Sequence, residues 1–186
     1  GEPNDYRNSI SLLASIPAEL KLVIPGNHDL TLDETFWFEN CTSPSAHLYA
    51  EARELWKEKT SIEAGIIFLE DGFHEFTLNS GAKLKVYASS ATPRPSQVTE
   101  WAFGYPSNVD RYNPKGTGIW YGESRATPRT QIAKDSQIDV MMTHGPPKYM
   151  LDLDSGTGEN IGCAHLFRAV RRTKPRIHAF GHAHSG

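Results

Sequence analysis

A chain of 186 residues, 22% of them charged, with a formal net charge of −3 is long enough to bury a hydrophobic core. Its lysines and arginines are scattered and give no basic footprint for a nucleic-acid polymer. No apolar run approaches the roughly 20 residues of a membrane-spanning helix, so the expectation is one soluble, cytoplasmic domain over residues 1–186 with no membrane partner.

The chain opens on Gly1-Glu2-Pro3-Asn4 rather than Met, which leads to the expectation that residues precede it. Residues 5–16 carry Ile10, Leu12, Leu13 and Ile16 near helical spacing, and Pro17 ends the run. Residues 20–24 read as a buried strand closed by Pro25-Gly26. Cys41 and Cys163 lack CxxC spacing and are expected as reduced, buried residues. Asn40-Cys41-Thr42 fits a glycosylation sequon and is taken as a chance match, because the chain offers no signal peptide. Residues 46–64 place Leu48, Ala52, Leu55 and Trp56 on one face of a helix.

"GIIFLED", "HEFTL" and "LKVYASS", parted by Gly72 and Gly81, read as neighbouring strands with antiparallel pairing. Residues 91–130 are rich in Pro, Gly, Asn and aromatics and are too long for an ordinary connection. Trp101, Phe103, Tyr105, Trp120 and Tyr121 could stack a base there, but packing is the preferred reading. A strand at 138–143, a helix at 162–173 and a strand at 176–180 complete the chain. Helix and strand alternating at both ends, with hairpin-like strands between, predicts a layered α/β domain.

Three strand exits end in polar residues beside glycine: Asn27-His28, His144, and His182 with His184. Loops at the C-terminal ends of strands in α/β sheets converge on one crevice. Neutral imidazole is the common nitrogen ligand of divalent metals, and an Asn carbonyl oxygen can complete a harder site. Neighbouring glycine lets the backbone come close to an ion. His182 and His184, two residues apart, would crowd one ion in strand geometry, so one ion for each is the expectation. His47, His74, His165 and His178 read as structural.

"GNHD", "THGPP" and "GHAH", in that order, resemble three of the five motif blocks of the calcineurin-like metallophosphoesterases, and the texture is most similar to the small class III cyclic-nucleotide phosphodiesterases with fungal relatives. The resemblance implies a layered α/β sandwich of two mixed β-sheets flanked by helices. It also implies a phosphodiesterase acting on a small-molecule phosphoester with two divalent ions, Mn, Fe or Zn. Asn27, His144 and His182 would bind one ion and His184 the other; His28 would assist the leaving oxygen, with Asp29 orienting it. The family's Asp-x-His and Gly-Asp blocks are absent, which leads to the expectation of an N-terminal truncation that removes the first strand and a bridging carboxylate. Weak metal binding and little activity would follow for residues 1–186, unless Asp29 or Asp152 completes the site. The alternatives are a nucleotide-binding or regulatory module using Gly156-Thr157-Gly158 before a helix, and a mononuclear zinc hydrolase built on Asn27, His144 and His182.

Overall fold

The computed structural model describes residues 1–40, 46–117 and 122–184. Cys41 and most of the sequon, and Trp120 and Tyr121, lie outside the described residues.

The elements in chain order are α1 (Pro3–Ala14), β1 (Lys21–Val23), a 3-10 turn (Leu30–Leu32), α2 (Glu34–Asn40), α3 (Ala46–Leu55), α4 (Lys59–Glu63), β2 (Ile66–Phe68), β3 (Gly72–Thr77), β4 (Lys83–Ser89), β5 (Thr92–Arg94), β6 (Gly104–Pro106), β7 (Val109–Asp110), β8 (Glu123–Ser124), β9 (Val140–Thr143), α5 (Ala164–Thr173) and β10 (Ile177–Phe180).

β4 organises the fold because its alternation is apolar on both faces. It forms an antiparallel hairpin with β3 and lies parallel to β9, which pairs in parallel with β10, giving the order β10-β9-β4-β3. Val86 and Ala88 turn to one face with Val140 and Met142, where Leu69, Leu22 and Ile24 of the β1–β2 region cover them. Tyr87 and Met141 turn to the other, under Leu166 and Ala169 of α5 and under Tyr105, Tyr112 and Ile132. The far side of β1–β2, through Ile66, Val23 and Phe68, packs on Tyr6 of α1 and on Ala52, Leu55 and Trp56 of α3 and its end. The molecule is therefore a layered α/β sandwich: helices α1 and α3, the small parallel β1–β2 sheet, the four-stranded mixed sheet, then α5 with the long connection. Burying a Leu, Ile or Met of this kind stabilises by about 1.5–3 kcal/mol.

Several boundaries differ from the sequence reading for physical reasons. The helix expected over 46–64 breaks in two. Glu58 adopts ψ 147 ahead of α4, and the Leu55 carbonyl accepts a bond from Ser61 Oγ at 2.9 Å in place of a helical N–H. Trp56 at the break packs on Tyr6 and Phe68. β2 does not join β3; it pairs in parallel with β1 in register Lys21↔Ile66. α2 went unread, although Asp33 Oδ1 accepts the Phe36 N–H at 3.1 Å, as a helix-capping aspartate does. The connection 91–130 is not irregular throughout: β5 pairs with β6 and β7 with β8, both in parallel.

α5 buries His165, Leu166 and Ala169; Cys163 caps its start, Sγ accepting the Leu166 N–H at 3.3 Å, and left-handed Lys174 ends it. Cys163 is buried and free, and burial pushes its thiol pKa up, so it is the inert core residue expected. The structural reading of the four other histidines matches their surroundings. His47 is exposed, His74 Nε2 meets the Glu70 carbonyl, His165 is buried 3.3 Å from Asp110, and His178 Nε2 lies 2.9 Å from Thr143 Oγ1. Among the described residues no helix is long and apolar enough to cross a membrane.

Candidate metal centre

β9 and β10 run in the same direction in register Thr143↔Phe180, so the residues after them emerge side by side. His144 follows directly and donates its backbone N–H to Ser89 at the end of β4, while Gly181 N–H reaches the His144 carbonyl at 3.0 Å. β1 delivers Asn27 to the same place from the neighbouring layer. Asn27 is 2% exposed, and its Oδ1 stands 2.7 Å from His144 Nε2 and 3.2 Å from His182 Nδ1. Residues separated by 117 and 155 positions are thus joined by one oxygen.

Two local devices aim the donors. A Cβ on Gly26 would lie 2.6 Å from His144 Cε1, so only glycine lets the Asn27 loop lie against that ring. Gly145 and Gly181 have ordinary room, and the expectation of a required glycine holds at Gly26 alone. His182 takes the left-handed conformation, φ 71, uncommon for a residue with a side chain and a frequent mark of functional sites. Trp101 lies edge to face against the ring, centroids 4.9 Å apart.

Electrostatics favour neutral rings. Burial first, then the imidazoles of His182, His28 and His184, push His144 down to about 4. Burial, then His184 and His28, lower His182 as well. Both rings are therefore uncharged at neutral pH, with a lone pair to offer. Metal–ligand bonds near 2.0–2.1 Å place adjacent donors about 3 Å apart, which matches the spacing found. The donor set fits three positions around one divalent ion, two imidazole nitrogens and one amide oxygen. Among the described residues no group of three or more His, Cys, Asp or Glu side chains is gathered for an ion, so the amide oxygen is essential to the set.

His28 and His184 are exposed at the mouth of this site. Asp29 Oδ2 accepts the Gly26 N–H at 2.7 Å and thereby closes the Asn27 loop. Asp152 is buried and accepts bonds from Tyr149 N, Gly162 N and Asn160 Nδ2, so it shapes its own loop instead of facing the donors. The Gly156-Thr157-Gly158 stretch is a closed turn in which Asp154 Oδ1 takes both the N–H and hydroxyl of Thr157, and α5 begins only at Ala164.

Sequence reasoning named Trp101 among five loop aromatics that could stack a base, with packing preferred, but missed its placement against His182 and a cleft of about 510 Å³ that runs from His182 and Trp101 to Arg94, Lys148 and Asn160. No local signal marks these residues as neighbours.

Fold and site together define a layered α/β protein with two histidines and an asparagine gathered at the ends of its strands in a spacing that fits a divalent ion. The sequence profile of the calcineurin-like phosphoesterases matches residues 2–186, and the chain belongs to that family. It is similar to human "Metallophosphoesterase domain-containing protein 1", 28% identical over 190 residues that cover 100% of this chain and 51% of the relative. It is also similar to "Probable rhamnogalacturonate lyase C" of Emericella nidulans, 31% identical over 188 residues, 100% of this chain and 14% of that protein. The chain thus spans about half the length of the human relative. A solved crystal structure shares the fold with TM-score 0.53 at 13% identity, over 97% of this chain and 57% of the other.

Proposed function

We propose a metal-dependent phosphoesterase acting on small phosphodiesters, cyclic nucleotides among them, that works with two divalent ions of manganese, iron or zinc when its ligand set is complete, residues 1–186 supplying Asn27, His144, His182 and His184 to that set. The observation that carries this reading is the convergence of His144 and His182 on Asn27 Oδ1 in a member of the calcineurin-like phosphoesterase family. Asn27, His144 and His182 hold one ion and His184 contributes to the other. When bound, such ions polarise the phosphoryl oxygens and provide a nucleophile at neutral pH. His28, exposed at the same mouth, gives its proton to the leaving oxygen, general-acid work of the kind imidazole does in enzymes. Asp29 holds the loop that carries both Asn27 and His28. The net charge of −3 favours a small substrate over a polyanionic polymer.

A mononuclear hydrolase is the second reading, favoured by a donor set that serves one ion. The alternative of a non-catalytic nucleotide-binding module draws no support from Gly156-Thr157-Gly158, because the Thr157 amide bonds within its own turn. Elemental analysis of the purified protein, with turnover of bis(4-nitrophenyl) phosphate, separates the readings. Two equivalents of metal with turnover support the proposal, one equivalent with turnover supports the mononuclear form, and metal without turnover overturns both.

A further inference from the structure

Of the three aromatics singled out in the long connection that the structure describes, two serve the core. Tyr105 is 4% exposed with its hydroxyl 3.2 Å from Cys163 Sγ, and Phe103 packs against the α1–α3 cluster. Trp101 differs. It is half-buried, its ring meets His182, and it lines the 510 Å³ cleft that opens from that histidine. The next residue fixes it in place: Ala102 N–H donates to the Asn27 carbonyl at 3.1 Å. The indole is thus tied to two of the three donors, once through backbone and once through its ring.

The opposite wall is equally constructed. The Asp152 carboxylate, 1% exposed, gathers Tyr149, Asn160 and Gly162 and so sets Lys148, whose Nζ reaches the Asn160 carbonyl at 3.2 Å. The cleft has the volume of a small-molecule site. A phosphoryl group held at Asn27, His144 and His182 has beside it, at His182, a cleft whose wall includes Trp101, with room for its organic group.

We propose that Trp101 is a specificity-determining residue, a platform for the organic group of the phosphoester, and that it selects a planar aromatic group over an alkyl one. The inference rests on the phosphoesterase reading. Face-on stacking against an indole favours any flat ring with little regard to its substituents, whereas a methyl group leaves most of the indole face uncovered.

The test compares phenylphosphonate with methylphosphonate, two non-hydrolysable anions that differ in the ring, by calorimetry on the manganese-loaded protein. The wild type binds phenylphosphonate more tightly, Trp101→Leu loses that advantage by about tenfold with methylphosphonate affinity within twofold, and Trp101→Phe retains most of it. Parallel loss of both ligands in Trp101→Leu overturns the inference, since it would mean that Trp101 only props His182. Equal affinity of the wild type for the two ligands also overturns it while leaving the phosphoesterase reading intact; binding of neither overturns both. A second measurement does not depend on the leucine variant folding: 4-nitrophenylphosphonate quenches wild-type tryptophan emission, and the quench disappears in Trp101→Phe. Its persistence there overturns the inference.

Discussion

A methyl group at Gly26 has nowhere to go, since it would meet His144 Cε1 at 2.6 Å and Nδ1 at 2.8 Å. Gly26→Ala should therefore displace that ring from Asn27 and weaken metal binding by about tenfold or more, as disturbed ligand orientation does; titration with manganese measures it. His28 makes the opposite case, because it lies at the mouth and outside the contacts that join the donors. His28→Ala should lower turnover by about 10²-fold with metal content unchanged; equal loss of both would move His28 into the coordination shell. Asn27, His144 and His182 were legible in the sequence because each follows a short apolar strand beside glycine, a pattern that survives without knowledge of pairing. Trp101 was legible only as one of five loop aromatics that could stack a base, not as a neighbour of His182. Its meaning depends on contact with His182, 81 positions away, and indoles fill cores as readily as they flank sites.

The segment between β9 and α5 shows how one side chain can replace regular structure. Asp152 accepts three bonds from within ten residues on either side, while Pro147 and Leu153 make bridges to Cys163 and Asn160. Asp152→Ala should strip those donors of their acceptor and cost about 2–4 kcal/mol, read from the denaturant midpoint. Strands β4, β9 and β10 and helix α5 were legible from apolar alternation and the Pro175 stop, and each ends within a few residues of where its pattern does. The break inside residues 46–64 was not, because helix-forming composition continues through Trp56-Lys57-Glu58 and only the Ser61 bond to Leu55 and the packing of Trp56 decide against it. The pairing of β2 with β1 was hidden for a related reason: three apolar residues fit either sheet, and layer packing makes the choice.

At the scale of the molecule, stability should depend on pH through His178 on β10 in addition to the ring of His144. His178 Nδ1 is buried with no hydrogen-bond partner among the described residues, its other nitrogen faces Thr143, and burial pushes its pKa down to about 4. The unfolded chain binds that proton near 6.5, so between about 6.5 and 4 the unfolded state holds more protons and stability falls as pH drops, by up to about 1.4 kcal/mol per pH unit. Denaturation at pH 7 and pH 5 measures the loss, and His178→Gln should make it shallower. The placement of Asn27 has a wider effect. It follows the small sheet, His144 and His182 follow the large one, and Leu22 and Ile24 pack between the two, which among the described residues share no strand pairing. A shared ion would act as a rivet through two plates that otherwise rest on each other by apolar contact. Because the unfolded chain cannot assemble those three donors, saturating manganese should raise the unfolding free energy, by about 2.7 kcal/mol at a hundredfold excess over Kd, and chelation should reverse the gain. Amide exchange should slow most in β1 and β9, where the plates meet, and an ion that stabilised only the loops would leave those strands unchanged.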